Sequence, residues 1–170
     1  RHIDVVHELI LAGADVNIAN EKGDSALIPC CQKGSDSIAL LLLEAGIDLN
    51  IHNRNRDNAV LICCRTNQSK ILEMLLTRYS SNKESLVRVL NEYADIDGFP
   101  PLLAATELNR TDCIKVCANF GADLEWRSKE DNPIIPGATA LHLACHYGRL
   151  DAARTLCELG SDVTAQTSVG

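Results

Sequence analysis

The feature that most constrains this chain is a recurrence. Residues 137–163 read GATALHLACHYGRLDAARTLCELGSDV: a turn with Thr139, a short apolar run, a break at Gly148, a second apolar run and a closing Gly160. Similar segments open at Gly23 (GDSALIPCCQKG), Arg56 (RDNAVLICCRTN) and Gly98 (GFPPLLAATELN). The starts fall at residues 23, 56, 98, 137 and 170, so the spacings are 33, 42, 39 and 33. Two intervals share one period, and the other two exceed it by 9 and 6 residues. A repeated unit of this size, carrying two short helical patterns, cannot bury an apolar face alone. It predicts a stack in which each unit is covered by its neighbours.

These residues resemble the ankyrin-repeat family, whose unit runs roughly G-x-T-P-L-H-x-A, then Gly, a second antiparallel helix and G-A-D-V-N. Gly137, Thr139, Leu141, His142, Ala144, Gly148 and Gly160 match, with Ala140 in the proline position, and Pro101 restores that proline in the preceding unit. The resemblance implies an all-α solenoid of stacked antiparallel helix pairs with projecting turns or short β-hairpins. It implies a single domain over 1–170: a partial repeat at 1–22, repeats at 23–55, 56–97, 98–136 and 137–169, and the start of another at 170. Residues 2–12 read as a second helix with no first helix before it, which suggests a fragment of a longer array.

In chain order, helices are expected at 2–12, 26–33, 37–45, 59–66, 70–78, 101–108 and 112–119, with one more pair in 137–163. Pro29 lies in or just past the first turn of its helix and predicts a small distortion. Arg56 and Asn67 stand where the unit has glycine. Asn tolerates positive φ, whereas Arg56 suggests a turn of different geometry. The run IALLLLEAGI at 38–47 reads as a buried helix. The extra residues near 79–93 read as an added or extended helix, with Ser81 and Glu84 as a capping pair and Leu86, Val89, Leu90 and Tyr93 on one face. A second insertion, near 126–136, contains Trp126 and lengthens a projecting loop.

The composition excludes several functions. A net charge of −7 argues against a general nucleic-acid surface, which needs a basic stripe. No apolar run approaches a membrane span. The eight cysteines include vicinal pairs, Cys30–Cys31 and Cys63–Cys64. Neighbours on a helix diverge by about 100°, so such pairs chelate poorly, and zinc sites usually space their ligands further apart. In the repeat alignment Cys30, Cys63, Ala105 and Ala144 share one column, and Cys31, Cys64, Thr106 and Cys145 the next. Cysteine there serves as a small buried apolar residue. Metals and cofactors are not expected, and redox or metal sensing by the cysteines is the weakest reading. Unpaired thiols favour a reducing, intracellular location, cytoplasmic or nuclear. His142 and Cys145 lie three apart but have no orienting third group, so a catalytic pair is not expected. By resemblance, His142 bonds backbone near the turn.

What remains is surface. In the family, partners usually bind the concave face, at the turn tips and the exposed edge of the first helices. Carried over by position, this selects Lys22, Lys33, Arg54 and Arg65 as a basic half, and Phe99, Leu108, Ile135, His146 and Tyr147 as an apolar and aromatic half. Trp126 is added as an exposed-aromatic candidate. The expected function is a non-catalytic scaffold holding a protein segment with an acidic and an apolar part, without a nucleic-acid, membrane-inserted or small-molecule partner. The alternative is a regulatory or targeting segment of a larger enzyme, ubiquitin-ligase adaptor or channel. Asn17 and Asn50 also resemble the asparagines hydroxylated in this family, although turns favour asparagine anyway.

Overall fold

The computed structural model describes residues 2–93, 95–129 and 136–167. Among these are ten α-helices: α1 (His2–Leu11), α2 (Leu27–Lys33), α3 (Asp36–Glu44), α4 (Ala59–Thr66), α5 (Ser69–Tyr79), α6 (Lys83–Val87), α7 (Pro101–Glu107), α8 (Thr111–Asn119), α9 (Ala140–His146) and α10 (Leu150–Glu158). A π-helical segment, Arg88–Glu92, continues α6. No strand occurs among the described residues. The first helices α2, α4, α7 and α9 pack in series, and the second helices α3, α5, α8 and α10 form a parallel row behind them. The fold is thus the expected all-α solenoid with projecting turns.

One core runs through the stack, from Leu27 and Ile28 through Leu61, Leu72, Leu76, Leu102 and Ile114 to Leu143 and Leu156, all nearly inaccessible. Small side chains let the first helices approach closely. Cys31, Cys63, Cys64 and Ala105 are fully buried, with Cys113 and Cys117 added from α8. Cys64 and Cys117 place their sulfurs 3.8 Å apart. Burial pushes the Cys30 thiol up to about 11; burial, then the Cys31 thiol, raises Cys63 strongly, and the Cys113 and Cys117 thiols, then burial, raise Cys64 strongly. Cys145 departs from the column reading. It is exposed, because no described first helix packs on the far side of α9.

Pro29 has the expected local effect, with an identifiable cause. In α4 the N–H of Ile62 bonds the carbonyl of Asn58. Pro29, the equivalent of Ile62 one period earlier, has no N–H to give to Ser25. The Ile28 N–H bonds that carbonyl instead at 3.1 Å, so the first turn of α2 is tight and starts from a helical Ala26 rather than an extended residue.

Three expectations are corrected. Arg56 does not alter its turn. Its φ of 62° lies in the same left-handed region as Gly23, Gly98 and Gly137, and its N–H closes the turn onto Asn53 as Gly23 closes onto Asn20. Arginine therefore carries the steric penalty of that conformation rather than avoiding it. The cap of α6 is Asn82, whose Oδ1 accepts the Ser85 N–H at 3.1 Å, while the Ser81 hydroxyl donates to Arg78 O. The run at 38–47 is only partly buried: Leu42, Leu43 and Ile47 face the core, but Leu40 is 47 % exposed. Six successive apolar residues encircle α3, and a helix in an outer row has one side in water.

The added helix packs against α5, and its π segment packs against α7. Val89 and Leu90 are buried there, and Leu86 lies half-buried against the core. The Tyr93 hydroxyl donates to Arg56 O at 2.8 Å.

Candidate functional site

The projecting turns are built by one device. Asn20 Oδ1 accepts the N–H groups of Lys22 and Asp24, Asn53 Oδ1 those of Asn55 and Asp57, and Asp95 Oδ1 those of Asp97 and Phe99. A backbone bond closes each loop: Asn20 to Asp24, Asn53 to Asp57, Asp95 to Phe99. In the fourth turn the same bond runs from Ser128 to Ala138. It spans 10 residues rather than 4, which places the 6 extra residues inside that loop. The polar residue three places before each start, Asn20, Asn53 and Asp95, was legible in the sequence as a column at the same 33- and 42-residue spacings.

Side chains also link one turn to the next. Asn17 Oδ1 accepts the Asp48 N–H, and Glu125 Oε1 accepts the Asp162 N–H at 2.8 Å. Between them the regular partner is displaced by the added helix, and Asn91 of the π segment substitutes, accepting the Asp123 N–H at 2.8 Å. The insertion therefore restores the connection it interrupts.

On this frame the predicted site residues separate. Lys22 and Arg54 come together: the Arg54 N–H bonds Lys22 O at 3.0 Å, and both line a cavity of about 320 Å³ with Asp24, Gln32 and Asn53. Lys22, Lys33 and Arg54 are exposed. Arg65 is not a free cation. Its Nη2 pairs with Asp95 Oδ2, and its Nε lies 3.4 Å from Asp57 Oδ1. The Asp95 side chain is fully buried and that of Arg65 is 28 % exposed, so the guanidinium ties two successive turns together.

Phe99 is a core residue. It is 2 % exposed, because its N–H and carbonyl close the turn on Asp95 and direct the ring inward. Leu108 is half-buried at the end of α7. His146 is exposed and Tyr147 half-buried, with ring centroids 5.0 Å apart edge to face. The Arg149 guanidinium lies over the Tyr147 ring at 5.9 Å. Trp126 is half-buried and packs against the core. Ile135 lies outside the described residues. His142 takes its expected part: its Nδ1 accepts the Thr139 N–H at 3.3 Å and lies 2.9 Å from the Thr139 hydroxyl.

Carboxylates at further positions that the repeat alignment places on this face, Asp57, Asp97 and Glu107, occupy its middle. Asp57 is raised, mainly by burial, against the attraction of Arg65 and with the repulsion of Asp95, Asp97 and Asp24. Glu107 is raised by burial, against Arg65 and Arg149 and with Asp95 and Asp97. Burial, then Glu107 and Asp97, raises the Tyr147 phenol, with Arg149 opposing. The face thus runs from exposed cations at Lys22 and Arg54, through a carboxylate-rich centre, to the His146–Tyr147 edge. Among the described residues it holds no group of three or more His, Cys, Asp or Glu arranged to bind a metal ion.

No described helix is long and apolar enough to cross a membrane. The chain is 25 % identical over 170 residues to a probable E3 ubiquitin-protein ligase XBOS33 of Oryza sativa subsp. japonica, a match covering 98 % of this chain and 31 % of that protein. It is 34 % identical over 73 residues to protein phosphatase 1 regulatory subunit 27 of Homo sapiens, covering 43 % of this chain and 44 % of the relative. The matches thus span less than half the length of either relative. The family model described as ankyrin repeats (3 copies) matches residues 1–86 and 79–167, and the chain belongs to the ankyrin-repeat family.

Proposed function

We propose that this chain is a non-catalytic protein-interaction module that holds an extended segment of a partner protein along its concave face. The observation that carries the reading is the asymmetry of that face. Lys22 and Arg54 flank one cavity, and His146 and Tyr147 form an aromatic edge at the other end. Between them Arg65 is committed to Asp95 and Asp57. An acidic part of the partner meets the lysine and arginine, and an apolar part meets the aromatic edge. Exposed aromatics and arginines are common interface anchors. Leu108, half-buried, extends the aromatic end.

The test is a binding assay against a captured partner with two variants, Lys22→Glu/Arg54→Glu and His146→Ala/Tyr147→Ala, each checked for native circular dichroism. The expected result is at least a tenfold loss of affinity in each. Unchanged affinity in both, with the fold intact, overturns the assignment of the concave face.

A second reading makes the chain a regulatory or targeting segment of a larger protein. The names of the two relatives, a ubiquitin ligase and a phosphatase regulatory subunit, favour it. The two readings are compatible, since the concave face then delivers a bound protein to the rest of the parent.

A further inference from the structure

The added helix creates a cavity outside the concave-face assignment. About 350 Å³ lies between the turn that precedes α4 and the α6–π segment, with Asn50, His52 and Asn58 on one wall and Ser85, Arg88 and Tyr93 on the other. No carboxylate lines it, in a chain with 23 acidic and 16 basic side chains. Asp48, which lines an adjoining cavity, is engaged through Oδ1 by the N–H and the side-chain amide of Asn50.

Three of the lining side chains, Asn58, Ser85 and Arg88, carry donors without a protein partner among the described residues. Asn58 is 2 % exposed. Its Oδ1 accepts the Leu61 N–H at 2.9 Å, which turns its NH₂ away from α4, and that NH₂ has no partner among the described residues. That donor opens onto the cavity, where an incoming acceptor can reach it. Arg88 has no ion pair among the described residues. The Ser85 backbone N–H bonds Asn82 Oδ1, and its hydroxyl has no partner among the described residues. His52 Nδ1 lies 3.3 Å from Asn50 O. Tyr93 and Asn50 are already committed, the Tyr93 hydroxyl to Arg56 O and the Asn50 side-chain amide to Asp48 Oδ1.

The π segment makes the wall. The Tyr93 N–H bonds Arg88 O at 2.8 Å, five residues back. In an α-helix, residues five apart point about 140° away from each other. The wider turn instead brings Arg88 and Tyr93 to the same cavity. Such wide turns recur at functional sites.

We propose that this cavity binds a phosphate monoester. Arg88, Asn58 and Ser85 supply donors from separate elements, and a phosphoryl group has three terminal acceptor oxygens. Arginine pairs with phosphate in two-point, charge-assisted geometry. A carboxylate, with two oxygens and half the charge, satisfies fewer of these donors. The group comes either from free phosphate or from a phosphorylated side chain of a partner, and the proposal does not depend on the concave face.

The experiment is a titration of the ¹⁵N-labelled chain, followed by amide shifts, with inorganic phosphate, O-phosphoserine, acetate and chloride at constant ionic strength. The expected result is saturable shifts confined to residues 50–58 and 82–93 with both phosphates, at least tenfold weaker in Arg88→Gln. Tighter binding of O-phosphoserine assigns the site to a modified side chain, and tighter binding of inorganic phosphate to the free ion; either supports the proposal. The absence of saturable shifts, equal response to acetate or chloride, or unchanged affinity in Arg88→Gln overturns it. Ser85→Ala, a surface change that leaves the Asn82 cap in place, gives an independent loss of affinity, and its failure to do so counts against the donor set.

Discussion

The pair between Asp95 and Arg65 allows a graded test of how the solenoid is held across its irregular interval. Asp95 does two jobs. Oδ1 closes its own turn by accepting from Asp97 and Phe99, and Oδ2 receives Arg65 of the preceding repeat. Asp95→Asn keeps the first job and removes the second, because an amide NH₂ then faces the guanidinium. Breaking a fully buried ion pair costs about 3–5 kcal/mol. Arg65 is 28 % exposed and keeps Asp57 at 3.4 Å, so the cost falls to about 2 kcal/mol. Asp95→Ala also orphans the N–H groups of Asp97 and Phe99, the latter on a buried residue. At about 1 kcal/mol each, this brings the loss to about 4 kcal/mol. Against a total stability of about 5–15 kcal/mol, the alanine variant loses roughly a quarter to four-fifths of the total. Urea denaturation followed by circular dichroism reads both values. An Asp95→Asn variant within about 0.5 kcal/mol of wild type, or equal losses for Asn and Ala, refutes the two-job account.

Four further outcomes follow. Under native conditions a thiol reagent modifies two of the eight cysteines rapidly, Cys145 and Cys157, and the six buried ones only on unfolding; more than two fast equivalents contradicts the packing of the cysteine column. Asp57 holds its proton more tightly when folded, chiefly through burial, so the stability tied to it is present below the unfolded value of about 3.9 and is lost as pH rises through the folded one; Asp57→Asn therefore gains on wild type between pH 4 and pH 7, and the opposite slope in paired denaturation curves refutes the assignment. Arg56→Gly removes a left-handed arginine and raises stability by about 0.5–1 kcal/mol, the steric penalty less the added chain entropy; a loss of stability shows that the arginine side chain has an unrecognised role. Phe99→Ala costs about 3–5 kcal/mol by emptying a core position, whereas Tyr147→Ala costs about 1 kcal/mol or less; thermal melts that reverse this order contradict the placement of both rings.

The two equal spacings made the solenoid legible before any coordinates. Glycine and Asn67 marked left-handed positions because few other residues relieve the clash at positive φ, and Asn67 is found there at 61°. Arg56 shows the limit of that inference. Backbone bonds shared by all the turns impose the conformation, and a single residue type does not veto it. The site was less legible, because a repeat alignment assigns a direction but not a depth. Phe99 and Arg65 lie in columns that face the groove, yet one turns inward and the other is claimed by a carboxylate 30 residues away. That carboxylate lies at the end of the longest interval, where the period alone gave no reason to pair it with Arg65. Cys145 erred for a related reason: membership of a packing column implies burial only where a neighbouring helix covers it. The insertion was visible as extra residues, but its polar cavity required Asn58 and Arg88, far apart in sequence, to be seen on facing walls.

The central claim, that a partner lies along the concave face, is tested most directly by amide hydrogen exchange of the chain alone and with a captured partner. The account predicts new protection at the turn tips around Lys22 and Arg54 and at the end of α9 around His146 and Tyr147. The outer sides of α3, α5 and α8, around Leu40, Glu73 and Lys115, are predicted to exchange unchanged. Protection confined to those outer helices, with the turn tips and the end of α9 unaffected, would contradict it.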